Sequence, residues 1–489
     1  MYDHADVVIV GSGPGGASAA LRLAQEGKSV IVVEAGPRLQ RVDFSHEAQN
    51  TLSRYFWGGG LRSTRGNLVL PTLQARCLGG GSVFNSAICM RAPDFALERW
   101  NDADGLDLRN GALDPHYDRI EDFWKVRTVP PEIQGRRNEL FGMACDELGW
   151  TPTPIQRNEE GCKGSGRCFT GCLNDAKQST DIRGVPELLA MGARVYTSVH
   201  VDHLIMDGAR VRGVEGYSVE PGTRRKKHRV RITAKTTILS AGAISNPIIA
   251  QRSGLDRPAI GANLRFHPGS VVMGAFEDPV EPWSGATQGV HCLDFLEEGV
   301  KLESLWAVPS LMAFRFPGVG NDLQDLLGRY KYMAPWDVWV SGEDSVGRVR
   351  ALPGGRPDLT YDIHQADVRR AQEGMAKLVE MFAAVGSTGI LTGVHGIPPV
   401  LTDRRGADLL RQTTLGPGSI PLASNHVFGS MAMGGDPSKH ACDPDGAVYD
   451  TDNLYVADTS LMPNTPGVNP MLTAMALADR VGATVAQAL

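Results

Sequence analysis

One histidine lies in a stretch of small and apolar residues, SNHVFGSMAMGG, at positions 424–435. Glycines at Gly429, Gly434 and Gly435 allow backbone to approach a bound group closely. A neutral imidazole in such a place can accept a proton from a hydroxyl group, which makes His426 a candidate general base. The alternative is a core histidine whose hydrogen bonds are met by the protein, and the stretch alone leaves both interpretations open.

A second glycine-rich stretch, near the start of the chain, has the spacing of a dinucleotide-binding turn. Gly11, Gly13 and Gly16 form the pattern G-x-G-x-x-G between a predicted strand and a predicted helix. Such glycines let backbone approach a pyrophosphate at the positive end of a helix. Glu34 follows the next predicted strand, at 30–33, where its carboxylate can accept hydrogen bonds from both ribose hydroxyls. An acidic residue there disfavours NADP and leaves NAD or FAD.

A further glycine cluster, CLGGGSVFNSAICMR at 77–91, decides between these two cofactors. It lies far along the chain from the first glycine turn, and an NAD enzyme does not need another backbone cradle of this kind. The cluster therefore favours FAD.

Four separated blocks of the sequence resemble the glucose-methanol-choline (GMC) family of FAD-dependent alcohol oxidases and dehydrogenases. In chain order they are GSGPGGASAA with VVEAG, GGGSVFNSA, ILSAGAISNP, and NHVFGSMAMG followed by LYVADTSLMPNTPGVNPMLTAMALADR. Their order and spacing cover nearly the whole chain, although residues 276–422 contribute little to the likeness. The resemblance implies an enzyme that oxidises an alcohol (CH–OH) to a carbonyl.

The resemblance also implies how FAD is held. It puts Gly81, Ser82 and Asn85 against the diphosphate and flavin ring, the backbone of Val201 at the adenine, and Asp458 near the ribityl chain. It further implies cofactor contacts from three other residues, Ala241, Pro470 and Met471. Some family members attach FAD covalently through a histidine in the glycine cluster. The neighbouring positions here are Val83 and Phe84, so we expect non-covalent FAD.

The same resemblance makes His426 and Asn469 the pair of residues on the substrate side of the flavin. An alcohol becomes a good hydride donor as it loses its hydroxyl proton, so an imidazole base and a carboxamide on the same oxygen suit this reaction. The carbon-bound hydrogen would leave as hydride to flavin N5. Asn469 and Pro470 also open the last predicted helix, whose positive end would favour negative charge on the reduced ring.

Three cysteines form a cluster that could suggest a different function. Cys162, Cys168 and Cys172 occupy three of the four positions of a C-x-x-C-x-x-C-x-x-x-C ferredoxin run, but Ser165 replaces the second cysteine. Serine is a poor iron ligand, so we predict no metal site and thiols that pack or pair locally. An electron-transfer or subunit protein built on this loop is one alternative function. A lyase that holds FAD without a redox step is another.

Composition and charge narrow the class of protein. The 489 residues are 42% apolar, more than one compact core usually holds, which predicts at least two domains. The net charge is −6 and the basic residues are dispersed, so nucleic acid is not an expected partner. We expect a soluble, cytoplasmic protein with free thiols, because no apolar run is long enough to span a membrane.

The predicted fold is α/β, or α+β with two domains. A Rossmann-like FAD-binding domain is predicted at 1–275 and 424–489, with a helical and cysteine-loop insertion at about 93–182. A substrate domain of antiparallel sheet and helices is predicted at 276–423, with a long helix at about 365–384. Its many aromatic and methionine residues predict a partly apolar pocket for a bulky alcohol, such as a sterol, a long-chain alcohol or a polycyclic compound. A sugar or an aminocyclitol is the alternative substrate, and oxygen or an electron carrier is the expected acceptor.

Overall fold

The computed structural model describes residues 1–313 and 316–489. The strands of these residues are, in chain order, β1 Tyr2–Val10, β2 Val30–Val33, β3 Val126–Thr128, β4 Pro152–Pro154, β5 Gln156–Asn158, β6 Arg194–Tyr196, β7 Val199–Asp207, β8 Arg210–Val219, β9 Lys226–Leu239, β10 Arg265–Phe266, β11 Gly269–Ala275, β12 Val290–Cys292, β13 Val300–Ser304, β14 Met333–Val340, β15 Val346–Ala351, β16 Pro357–Asp362, β17 Gly389–Leu391, β18 Val427–Phe428 and β19 Leu454–Val456. The α-helices are α1 Pro14–Gln25, α2 Ala48–Tyr55, α3 Asp94–Asp104, α4 Asp114–Trp124, α5 Arg136–Leu148, α6 Val185–Ala190, α7 Gly242–Arg252, α8 Pro309–Met312, α9 Asn321–Gly328, α10 Gln365–Ala384, α11 Arg405–Gln412 and α12 Met471–Ala488.

The first sheet has seven strands and a parallel centre. Its order is β6-β2-β1-β9-β8-β7, with β19 also paired to β9. Strand β1 runs parallel to β2 and β9, whereas β7, β8 and β9 form an antiparallel meander. The strand β2 reads VIVV and is buried along its whole length, as a central parallel strand requires. The predicted strand, turn, helix and strand at the start of the chain are therefore confirmed as β1, α1 and β2.

The second sheet has six strands in the order β17-β11-β14-β13-β12-β4, and every neighbouring pair is antiparallel. Helix α10 packs across it, at the position predicted for the long helix. On that face Trp336 stacks on Phe382, with ring centroids 3.8 Å apart. Because side chains alternate along a strand, Asp337 and Trp339 point to the opposite face of the sheet.

The predicted fold class is confirmed, since a Rossmann-like sheet and an antiparallel sheet with helices are both present. The domain boundaries at 275 and 423 stay a prediction. Strands β4 and β11 both fall within the range assigned to the FAD domain, yet each of them belongs to the second sheet, where β4 pairs with β12 and β11 pairs with β17. Among the described residues, none of the helices has the length and apolarity that crossing a bilayer would require.

Candidate active site

A single cavity of about 860 Å³ is lined by residues from both sheets. It brings together all but one of the residues proposed for the site from the sequence. They are Gly11, Gly13, Glu34, Gly81, Ser82, Asn85, Val201, Ala241, His426, Asp458, Asn469, Pro470 and Met471. Gly16 is the exception and lies behind the cavity wall.

The three glycines of the first turn do three different things. Gly11 has a φ of +104°, and a Cβ there would lie 2.2 Å from the carbonyl oxygen of Ser240. A Cβ on Gly16 would lie 2.1 Å from the carbonyl oxygen of Gly11, so this glycine allows close packing. A Cβ on Gly13 would have no neighbour within 4 Å, because Gly13 faces the cavity just before α1. This arrangement fits a pyrophosphate of FAD at the N-terminus of α1.

Glu34 is buried against the same turn. Its Oε2 accepts hydrogen bonds from the Ser12 backbone N–H at 3.1 Å and from the Ser12 hydroxyl at 2.7 Å, and Oε1 accepts one from the Gly36 N–H at 2.7 Å. Burial raises the pKa of this carboxyl group. Because three of its about four lone-pair sites are occupied, the Glu34 carboxylate can still accept a hydrogen bond from one ribose hydroxyl. It has little capacity left for the second ribose hydroxyl that was expected from the sequence.

The second glycine cluster forms a short 3₁₀ turn, Gly80–Val83, at the cavity wall. The Ser82 hydroxyl donates to the Gly79 carbonyl at 2.7 Å. The buried ammonium of Lys177 donates to the carbonyls of Val83 at 2.5 Å and Asn85 at 2.9 Å. The sequence did not single out Lys177, which fixes this turn from behind.

Asp458 and Ala241 meet at the start of α7. The two carboxylate oxygens of Asp458 accept hydrogen bonds from Gly242 N–H, the Asn246 amide, and the backbone and hydroxyl of Ser460. The Asn246 Oδ1 in turn accepts from the Ala241 N–H at 2.8 Å. Asp458 therefore holds the loops at this wall together, and its carboxylate has little remaining capacity to accept from a ligand.

His426 lies among aromatic rings and a second histidine. Its Nδ1 is 3.2 Å from Nδ1 of His267, and its ring packs on Trp339 with centroids 5.0 Å apart. Burial, together with the positive charge of Lys301, lowers the pKa of His426 to about 3. Burial, together with the neighbouring His426 and Lys301, lowers the pKa of His267 well below its usual value. Both imidazoles are therefore neutral near pH 7. The sequence had indicated a functional role only for His426.

Asn469 lies beside Pro470, two residues before the first residue of α12. Its Oδ1 accepts a hydrogen bond from Lys301 Nζ at 2.6 Å, a contact between residues far apart in the chain. The adjacent Met471 receives a hydrogen bond at its sulfur from the Asn85 amide at 3.0 Å. The glycine cluster thus contacts the first residue of α12, two positions after Asn469.

The part of the cavity wall near β13 and α8 is largely apolar. The aromatic and aliphatic residues there are Phe56, Phe169, Val271, Leu305, Trp306, Leu311 and Met312. Such a wall suits the hydrocarbon part of a ligand.

The cysteine loop is held by buried charges. Arg157 Nη2 donates to the Cys168 sulfur at 3.1 Å, and both residues are buried. Burial alone would raise the pKa of the Cys168 thiol, but the charges of Arg157 and Lys177 outweigh it and lower that pKa. Within 1–313 and 316–489, no group of three or more His, Cys, Asp or Glu side chains is arranged to hold a metal ion. All eight cysteines are free thiols.

Comparison with known proteins connects this cavity to a family. The two models of the GMC oxidoreductase family match residues 52–269 and 343–478, and an FAD-binding-domain model matches residues 6–46. An uncharacterised GMC-type oxidoreductase of Mycobacterium tuberculosis is 33% identical over 97% of this chain and 75% of its own length. A long-chain-alcohol oxidase of Arabidopsis thaliana is 27% identical over 99% of this chain and 67% of its own length.

A solved structure shares the fold. The pyridoxine 4-oxidase from Mesorbium loti superposes with a TM-score of 0.71 at 20% identity, over 98% of each chain. The chain belongs to the GMC oxidoreductase family, and it is an FAD-dependent oxidoreductase that acts on alcohols.

Proposed function

We propose that this enzyme oxidises a bulky, largely apolar alcohol to a carbonyl compound, with His426 as general base and Asn469 as the hydrogen-bond donor to the substrate oxygen. The observation that carries the proposal is the position of a neutral imidazole and a carboxamide on the same cavity as the two glycine turns. FAD, when bound, supplies the two-electron acceptor for the hydride.

The low pKa of His426 leaves its ring unprotonated at neutral pH, so the ring has a lone pair available to accept a proton. Two neutral imidazoles that meet through Nδ1 need one donor and one acceptor. When the His426 Nδ1–H donates to His267, the lone pair on Nε2 of His426 is free to accept the hydroxyl proton. In this arrangement His267 holds the proton of His426 on Nδ1 and leaves Nε2 as the basic atom.

Asn469 complements the base at the oxygen atom. The amide N–H₂ of Asn469 can donate to that oxygen as negative charge grows on it. Donation to a developing alkoxide is stronger than donation to the neutral alcohol, so this contact lowers the barrier and not only the dissociation constant.

Non-covalent attachment of FAD is part of the proposal. The turn Gly80–Val83 and the next residue, Phe84, present no imidazole, thiol or phenol that could form a bond to the flavin. The turn provides backbone N–H groups and open space, since a Cβ on Gly81 would meet nothing within 4 Å. Oxygen or an electron carrier then takes up the electrons.

The apolar wall supports a hydrocarbon substrate. Trp306 and Met312 are buried beside the cavity, and Leu305 and Phe169 complete the wall. A relative that acts on long-chain alcohols points to the same substrate class. Long-chain alcohols and sterols are therefore the first compounds to test, with a sugar and an aminocyclitol as polar comparisons.

The test replaces the base and follows flavin reduction without oxygen. We expect His426→Gln to retain FAD and to slow flavin reduction by the alcohol by on the order of 10² to 10⁴. His440→Gln is the matched control, because His440 is also buried but does not line the cavity. Reduction of His426→Gln at the wild-type rate in a stopped-flow experiment would show that His426 is not the base.

A further inference from the structure

We infer that Lys301 is a positioning residue of this enzyme: its buried ammonium turns the carboxamide of Asn469 so that the N–H₂, and not the oxygen, faces the substrate. The inference rests on the proposed function, because it gives Asn469 a donor's role at the alcohol oxygen. Neither the cofactor turns nor the pair of His426 and Asn469 includes this lysine.

Lys301 is far more buried than a lysine on an ordinary strand. Its side chain is 2% exposed, and Nζ lies 3.1 Å from Oε2 of Glu303, which is fully buried. The second contact of Nζ is Oδ1 of Asn469, at 2.6 Å. A buried charge is costly unless it is paired and hydrogen-bonded, so these two contacts account for the position of the ammonium.

The hydrogen bond to Asn469 has only one possible direction. An ammonium group donates and never accepts, so the atom of the amide that faces Lys301 must be the oxygen. The nitrogen of a planar carboxamide then points away from the lysine. Within the described residues no hydrogen bond from Nδ2 of Asn469 to the protein competes, and Asn469 lines the cavity. Nδ2 is therefore the amide atom left to serve a ligand.

Strand register explains how the lysine reaches Asn469. Lys301 on β13 pairs with Trp339 on β14, and Glu303 pairs with Asp337. These four residues share the sheet face opposite α10, and Trp339 packs on His426. The face therefore places Lys301 beside the proposed base as well as beside Asn469.

The charges on this face are balanced. Burial and the nearby charge of Glu303 raise the pKa of Asp337 well above its usual value, so Asp337 keeps its proton. Lys301 and Glu303 remain as one buried pair. His291 pairs with Glu303 on the same face, and burial with the charge of Lys301 lowers its pKa well below the usual value, so it is also neutral. The titratable groups around His426 are therefore neutral His267, the pair of Lys301 and Glu303, and neutral Asp337 and His291. Loss of Lys301 should raise the pKa of His426.

The experiment compares Lys301→Met and Lys301→Arg in the FAD-loaded enzyme. We expect Lys301→Met to slow anaerobic flavin reduction about 10- to 100-fold, because the amide loses its fixed orientation. Lys301→Arg should recover much of the rate, since a guanidinium also only donates. In the Asn469→Ala background, adding Lys301→Met should slow flavin reduction further by less than about threefold, because both changes remove the same contact.

A second readout does not depend on turnover. In ¹⁵N-histidine NMR spectra of the oxidised enzyme, the titration of His426 should move to higher pH in Lys301→Met and stay near wild type in Lys301→Arg. The control is Leu302→Ala, which weakens the same strand from its opposite face and should leave this titration unchanged. Lys301→Met with Glu303→Leu removes the whole buried pair, in case the single variant leaves Glu303 uncompensated and does not fold.

The outcomes separate the two proposals. Wild-type flavin reduction in Lys301→Met and in the double variant, beside slow reduction in Asn469→Ala, would overturn the role of Lys301 and leave the proposed function intact. Wild-type reduction in Asn469→Ala would overturn the proposed role of Asn469, and the inference about Lys301 with it.

Discussion

His267 and His426 face each other through their Nδ1 atoms at a distance of 3.2 Å, with ring planes at 83°. Only one of the two Nδ1 atoms can carry a proton in this contact, so the tautomers of the two rings are coupled. His267 is 2% exposed and packs on Phe428, with ring centroids 4.7 Å apart. The proposed base is therefore oriented by a neighbour that itself has little freedom to move.

Replacing this neighbour should weaken the base without removing it. We expect His267→Phe to slow flavin reduction by about 10- to 100-fold, because His426 loses the acceptor that holds its proton on Nδ1. The binding constant of the alcohol should change less than the rate. The measurement is anaerobic stopped-flow at several alcohol concentrations, with the flavin content checked by absorbance. An unchanged limiting rate would mean that the contact does not set the tautomer.

Acid should destabilise the protein through protonation of His426. The pKa of His426 is lowered from 6.5 to about 3, first by burial and then by the charge of Lys301. Between these two pH values the unfolded chain binds a proton that the folded chain does not, so the free energy of unfolding falls as the pH falls through this window. Denaturant unfolding at pH 7 and pH 5 should show a smaller fall in His426→Gln than in wild type. An equal fall in both proteins would contradict the shift.

The sequence predicted the cofactor turns because their glycines act locally. The spacing of Gly11, Gly13 and Gly16 determines the shape of one turn and the start of one helix, and the structure has both. Lys301 could not be recognised in this way. In the segment KLES, a lysine beside alternating apolar residues is typical of a strand with one solvated face. Its burial follows from the pairing of β13 with β14, and its contact with Asn469 joins residues 168 positions apart.

Two other features could not be predicted because they also depend on contacts between residues far apart in the chain. Lys177 follows Cys172, the last of the three clustered cysteines, and nothing in its local sequence indicates that its ammonium holds the carbonyls of Val83 and Asn85. Strand β4 joins the second sheet although more than a hundred residues separate it from its partner β12. Such long-range pairing has no local signal in a single sequence.

The glycine turn allows a test that separates cofactor binding from folding. We expect Gly13→Ala to fold normally and to lose FAD affinity, because its Cβ would enter the open space left for the pyrophosphate. Gly16→Ala should instead destabilise the apoprotein, because its Cβ would lie 2.1 Å from the Gly11 carbonyl oxygen. Thermal unfolding of the apoproteins and FAD titration by fluorescence measure the two effects. Equal losses of apoprotein stability in both variants would show that Gly13 is needed for packing.

Leu305 offers a direct test of the bulky-substrate proposal. It follows β13, is half-buried and lines the cavity beside Trp306. The indole ring in Leu305→Trp is larger than the leucine side chain and should fill part of the cavity. We therefore expect kcat/KM for a sterol or a long-chain alcohol to fall about 10- to 100-fold, while kcat/KM for a two- or three-carbon alcohol changes little. Leu305→Met nearly conserves the side-chain volume and serves as the control. The measurement is the steady-state kcat/KM of the wild type, Leu305→Trp and Leu305→Met for a short and a long alcohol. Equal losses of kcat/KM on both substrates in Leu305→Trp would mean that this wall does not contact the hydrocarbon part of the alcohol.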